Sequence, residues 1–195
     1  MTDDETLRVY DAQAAEYAAA FGDAVPEDLA AFAALLPAGG RVLDLGAGPG
    51  TMAGWLAGRG FAVEAWDASP AMVALAEAVP GVTARLRRFE DLDAEDAFDG
   101  VWASFSLLHA RRSELPGLIG RIARALRPGG AAFVGMKVGT GERRDALGRR
   151  YSFVTEAELT GWLRDVGLTI VTVRTGSAKG MAGTDDPFVA VTAHG

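Results

Sequence analysis

The sequence predicts an α/β fold, a doubly wound Rossmann-like sheet with helices on both faces. Two observations carry this. Short apolar runs of strand length alternate with helical patterns through the middle of the chain, and the first run empties into a glycine-rich turn that opens a helix. Strand, crossover helix and next strand connect right-handedly, which makes the sheet parallel and buries both its faces.

The elements follow in order. Over residues 5–21, Leu7, Tyr10, Ala14, Tyr17 and Phe21 recur at three- and four-residue spacing, which predicts one helix. Pro26 opens a second helical pattern through Leu29, Phe32 and Leu36, ended by Pro37-Ala38-Gly39-Gly40. Strand-length runs then stand at 41–45, 61–66, 82–86, 98–103 and 131–136, separated by helical patterns at 51–58, 70–79 and 114–126. A helix over 155–165 leads to a run at 168–174, a glycine-rich loop at 176–183 and a last run at 188–192. With only that loop between them, the last two strands are expected to pair antiparallel at one sheet edge. No repeat or long linker divides the chain, so one domain is expected over 1–195, a helical lid at 1–38 on a core at 39–195.

Composition excludes several function classes. The 195 residues, 49% of them apolar, suffice for one sizeable core. The longest apolar run, around AAFVGM, is far short of the roughly 18 to 20 residues of a membrane span. The start, MTDDET, is acidic where a secretory signal is basic, so a cytoplasmic location is expected. With no Cys and two His, no metal site is expected. A net charge of −7 argues against a broad nucleic-acid surface.

The strongest local signal is Val42-Leu43-Asp44-Leu45-Gly46-Ala47-Gly48-Pro49-Gly50, an apolar strand running into a glycine turn that lets a ligand approach main chain. Asp67 ends the second strand, where a doubly wound fold places an acid to accept from ribose hydroxyls. Read alone, the turn is also a plain strand-to-helix connection. A dinucleotide is disfavoured, because Gly46, Gly48 and Gly50 space as G-x-G-x-G and Thr51 stands where the pyrophosphate fingerprint has its third glycine.

At this point the chain resembles the class I S-adenosylmethionine-dependent methyltransferases, through YDAQAAEY, VLDLGAGPG, WDASPAMVALA, FDGVWASFSLLH and RALRPGG in that order. The resemblance implies the strand order 3-2-1-4-5-7-6, S-adenosylmethionine as methyl donor and S-adenosylhomocysteine as product. Carried over by position, Gly46, Ala47 and Gly48 line the methionine part, Asp44 orients it indirectly and Asp67 binds the ribose. Ala68 and Ser69 flank the adenine, and Phe89, Glu90 and Asp91 sit where relatives contact its ring and amino group. Glu90 and Asp91 compete for one role, or are two solvated acids opening a turn. Phe105 follows the fourth strand, whose end faces the transferred methyl and the cofactor. Tyr10 and Tyr17 match a helix that lids the cofactor in many relatives, though their spacing fits ordinary core packing equally well.

The acceptor is expected to be a small molecule, since no nucleic-acid-binding insertion is present. Among its candidate contacts, His109 is the one residue placed to act as a base near the methyl, or else it packs in its loop. Lys137 with Arg143, Arg149 and Arg150, beside Tyr151, either holds an anionic acceptor or forms a solvated segment whose arginines pair with Glu142 and Asp145. The segment KVGTGERRDALGRRY resembles a stretch of small bacterial methyltransferases likened to tellurite-resistance enzymes. Methyl transfer is the expected function, by a monomer or homodimer. A non-catalytic cofactor-binding protein and a nucleotide-dependent oxidoreductase are the alternatives.

Overall fold

A computed structural model describes residues 3–21, 25–179, 183 and 185–195. Among these residues seven strands form the main sheet: β1 (Arg41–Leu45), β2 (Ala62–Asp67), β3 (Val82–Leu86), β4 (Phe98–Ser104), β5 (Leu126–Lys137), and, after a small hairpin, β8 (Thr169–Lys179) and β9 (Asp185–His194). Their spatial order is β3-β2-β1-β4-β5-β9-β8, the expected 3-2-1-4-5-7-6 once the hairpin is set aside. β1 to β5 run parallel, and β9 runs antiparallel to both β5 and β8. The order reverses between β1 and β4, so a crevice opens beyond their carboxyl ends, where doubly wound sheets bind ligands.

Each face has its own core. On one, α3 (Glu27–Ala33), α4 (Thr51–Ala57) and α5 (Pro70–Glu77) bring Leu29, Phe32, Ala53, Leu56 and Ala76 against Val42, Val63, Trp102 and Phe133. On the other, α6 (Leu115–Ala125) and α7 (Glu156–Asp165) bring Leu118, Ile119, Ile122, Leu159 and Leu163 against Leu43, Val101, Val134 and Val191. Burying one Leu or Ile side chain contributes roughly 1.5 to 3 kcal/mol, so these two layers are where the stability resides. Caps set the ends: Ser69 accepts from the Met72 amide with Pro70 in the first turn of α5, and Thr155 and Glu158 form a reciprocal capping box on α7. Among the described residues, no helix is long and apolar enough to cross a membrane.

Three expectations need correction. The single helix over 5–21 is two, α1 (Asp4–Ala12) and α2 (Ala14–Phe21), separated at Gln13, whose backbone leaves the helical region. The break turns Tyr10 and Tyr17 toward one another, ring centroids 5.7 Å apart. The polar segment after β5 is a hairpin, β6 (Glu142–Arg144) with β7 (Arg150–Ser152), because β-pairing satisfies its backbone and Asp145 accepts the amides of Leu147 and Arg149 in the turn. The expected loop at 176–183 begins later, since β8 stays paired with β9 as far as Lys179, opposite Asp185; residues 180–182 of that loop lie outside the described residues.

Candidate active site

One cavity of about 440 Å³ occupies the crevice, within the range of roughly 300 to 1,000 Å³ of small-molecule sites. At one end lie Gly46, Ala47, Gly48, Asp44, Asp67, Ala68 and Phe89. At the other lie Phe105, His109, Lys137, Tyr151, Asp186 and Phe188, with Tyr10, Tyr17 and Arg149 lining the wall.

The glycine turn is shaped by its neighbours. Gly46 has φ +79°, and a Cβ there would lie 2.3 Å from Cβ of Ser106, so only glycine brings the end of β1 this close to the turn that follows β4. Ser106 holds the approach by donating from its hydroxyl to the Leu45 carbonyl. Asp67 accepts from the Gly48 amide at 2.8 Å and the Ser69 amide at 2.9 Å, which ties the turn to the end of β2. Burial pushes the Asp67 carboxyl up, and those amide donors oppose the rise.

Asp44 lies beneath the turn, 2% exposed, with Oδ2 unpartnered among the described residues. Burial first, then the nearby Asp67 charge, push its pKa up to about 7. A buried carboxylate oxygen without a donor is costly, and it fits a ligand that brings a cationic group. The glycine cradle, Asp67 and this oxygen together fit S-adenosylmethionine, whose ammonium head Asp44 would meet and whose ribose Asp67 would hold.

Helix α1 is held from both sides. Asp3 caps α1 and pairs with Arg144 at 2.7 Å and Arg150 at 3.5 Å, and Thr6 Oγ1 accepts from the Arg150 amide. Asp11 receives the Ser69 hydroxyl from the other flank. Inside this clamp the Tyr10 hydroxyl and His109 Nε2 are 2.8 Å apart, and His109 Nδ1 is 2.7 Å from the Arg150 carbonyl. A carbonyl only accepts, so Nδ1 carries the proton and Nε2 receives the Tyr10 O–H. Burial drives the His109 pKa down to about 4.

Phe105 has φ +53°, a left-handed conformation costing a non-glycine residue about 1 to 3 kcal/mol. Its amide donates to the Gly135 carbonyl at 3.0 Å, and its ring meets Phe188 edge-on at 5.7 Å. The strained backbone aims an aromatic ring into the cavity mouth.

The structure gathers most of the expected residues at the cavity and leaves others out. Ser69 is spent on the α5 cap and on Asp11. Glu90 and Asp91 do not line the cavity; they belong to a short 3-10 turn, Phe89–Asp91, where Asp91 accepts the Arg88 amide. Arg143 lies over the Phe153 ring, exposed, and Arg150 turns to Asp3, so neither reaches the cavity.

The expected anion-holding cations are likewise engaged with carboxylates. Lys137 Nζ is 2.6 Å from Asp186, and Arg149 grips Asp145 with Nε and Nη2 at 3.0 and 2.6 Å while donating to Tyr10 at 3.0 Å. Of the two acids proposed as partners for the hairpin arginines, Asp145 takes that role, whereas Glu142 accepts from the Arg112 amide and Ser152. Sequence reasoning missed Asp186, Phe188 and Trp102, which have no local signature because distant strands bring them to the cavity. Trp102 stacks on Phe133 at 3.8 Å beneath it. Among the described residues no group of three or more His, Cys, Asp or Glu is arranged to hold a metal ion.

Comparison with known proteins agrees with this geometry. A family model described as a methyltransferase domain matches residues 10–173. The ubiquinone biosynthesis O-methyltransferase of Xanthomonas axonopodis pv. citri (strain 306) is 32% identical over 160 residues, 71% of this chain and 66% of that protein. The Xylella fastidiosa (strain 9a5c) protein of the same name is 30% identical over 159 residues, 67% of this chain and 61% of that protein. This chain therefore spans less than two thirds of the length of these relatives. Among solved structures, Burkholderia thailandensis 1,6-didemethyltoxoflavin-N1-methyltransferase, with 1,6-didemethyltoxoflavin and S-adenosylhomocysteine bound, superposes with TM-score 0.75 at 24% identity, over 98% of this chain and 87% of that one. TehB from Haemophilus influenzae gives TM-score 0.75 at 17% identity, over 91% and 65%. With a methyltransferase domain model matching most of its length, the chain belongs to the class I S-adenosylmethionine-dependent methyltransferase family.

Proposed function

We propose that this protein transfers the methyl group of S-adenosylmethionine to a small acceptor with a flat, uncharged face. One observation carries the reading: the cavity that holds the glycine turn and Asp67 continues without a break to the rings of Phe105, Tyr151 and Phe188. The sulfonium supplies both the methyl group and its leaving group, so no nucleophilic side chain is required. The residues of this chain contribute by holding two reactants in line under the α1 lid, and such positioning is worth roughly 7 to 11 kcal/mol in favourable cases. Aromatic walls and cations matched by carboxylates support an uncharged acceptor over an anion. The relatives named for ubiquinone biosynthesis and for 1,6-didemethyltoxoflavin support a small molecule.

Calorimetry with S-adenosylhomocysteine and with NAD tests the cofactor assignment, and only the first is expected to bind. Incubation with S-adenosylmethionine and a library of phenols and nitrogen heterocycles, read as S-adenosylhomocysteine formed, tests turnover. Binding without turnover of any acceptor would instead mark a non-catalytic cofactor-binding protein.

A further inference from the structure

Resting on the methyl-transfer reading, the geometry points to Lys137 and Asp186 as an acid–base pair for a neutral aromatic hydroxyl acceptor, Asp186 taking its proton while Lys137 holds its oxygen.

Four carboxylates line the cavity among the described residues: Asp28, Asp44, Asp67 and Asp186. Asp44 and Asp67 lie at the glycine-turn end, and Asp28 is gripped by Nε and Nη2 of Arg174. Asp186 is the carboxylate placed at the aromatic end. Lys137 ends β5 opposite Phe188 of β9, and Asp186 stands two residues from Phe188, so all three share one face of the sheet. The Lys137 ammonium meets Asp186 at 2.6 Å and lies 3.9 Å from the centroid of the Tyr151 ring. Both side chains of the pair are 16% exposed, open to a cavity ligand and largely withdrawn from bulk water.

A cation beside a carboxylate at the end of an aromatic slot selects by hydrogen-bond pattern. An anion would meet the Asp186 charge, and an apolar ring would leave two charges unsolvated. A phenolic hydroxyl donates one hydrogen bond to Asp186 while its lone pair accepts from Lys137, so it satisfies both. The two arginines and the imidazole around the pair are already engaged. Arg149 is closed on Asp145 and Arg174 on Asp28, and both nitrogens of His109 are occupied by Tyr10 and the Arg150 carbonyl. His109 is therefore not the base.

In the reaction the O–H electron pair stays on the acceptor oxygen as the proton passes to Asp186. The oxygen forms its bond to the methyl carbon while the carbon–sulfur pair leaves on sulfur. The products are an aryl methyl ether, S-adenosylhomocysteine and one proton, released from Asp186 to solvent.

The test uses 4-nitrophenol, whose ionisation is read by absorbance, bound to the full chain loaded with S-adenosylhomocysteine. Lys137→Met should raise the pKa of the bound phenol by about one unit, a tenfold change, and Asp186→Asn should lower it, because each removes one charge of opposite sign. With S-adenosylmethionine, Asp186→Asn should cut kcat at least about tenfold for 4-methylphenol at neutral pH, and less than about threefold for 4-nitrophenol at about pH 9, where the acceptor is already ionised. Equal losses for both phenols, or a bound-phenol titration that neither substitution moves, would overturn the assignment. If the parent binds S-adenosylhomocysteine by calorimetry yet takes up no nitrophenol, the acceptor class is wrong and the methyl-transfer reading stands. If S-adenosylhomocysteine itself does not bind, both fall.

Discussion

The Tyr10 hydroxyl donates to Nε2 of His109 across 2.8 Å, joining helix α1 to the turn that follows β4. This contact fixes the imidazole as a neutral acceptor. Burial lowers its pKa from 6.5 to about 4, so between those values the unfolded chain takes up a proton that the folded chain refuses. The stability this contributes is whole above pH 6.5 and is lost as pH falls toward 4, on the order of 3 kcal/mol. His109→Gln should abolish this slope in urea titrations at a series of pH values. The parent's kcat/KM should likewise show no limb near pH 6.5, the limb expected if an unperturbed His109 were the base.

Asp44 titrates with the opposite sign in an overlapping window. Its pKa rises from 3.8 to about 7, so the folded chain keeps a proton that the unfolded chain has lost, and stability falls as pH rises between those values. The two effects partly cancel in the parent. His109→Gln should reveal stability falling from about pH 4 to pH 7, and Asp44→Asn should reveal stability rising from about pH 4 to pH 6.5. Cofactor binding should release protons from Asp44 near pH 7, read by calorimetry in buffers of different ionisation enthalpy. No buffer dependence at that pH would mean that no cationic group approaches Asp44.

Asp67→Ala should weaken S-adenosylhomocysteine binding by about 1.5 to 3 kcal/mol, the range for hydrogen bonds to a charged group. It also removes the acceptor of the Gly48 and Ser69 amides, so a modest fall in Tm should accompany it. Asp67→Asn keeps one acceptor and should be milder on both counts. Unchanged affinity in the alanine variant would remove the ribose assignment.

Gly46→Ala combines an unfavourable φ with a collision against Ser106 Cβ and should cost about 3 kcal/mol. The collision is the separable part. Ser106→Gly in the same chain removes that Cβ, so the double variant should be less destabilised than the sum of the two single changes. Strict additivity in chemical denaturation would show that β1 and the turn after β4 do not press on one another.

The alternation of apolar runs with helical patterns, the glycine spacing after Leu45 and the acid at Asp67 were legible in the sequence because each depends on near neighbours in the chain. Periodicity and backbone conformation are local properties, and the strand order followed from motifs standing in a familiar succession. The break at Gln13 was not legible, because the spacing of Tyr10 and Tyr17 continues across it. Nor was the fate of the basic residues. Lys137 finds Asp186 across 49 positions through β5 pairing with β9, Arg150 finds Asp3 across 147 through the hairpin closing on α1, and Tyr10 finds His109 across 99 where α1 meets the turn after β4. The sequence by itself determined the sheet and the cofactor cradle, built from contiguous residues. Only the tertiary structure decided which charges stand opposed at the acceptor end, because Coulomb and hydrogen-bond energies depend on separation and burial in space, neither of which sequence distance records.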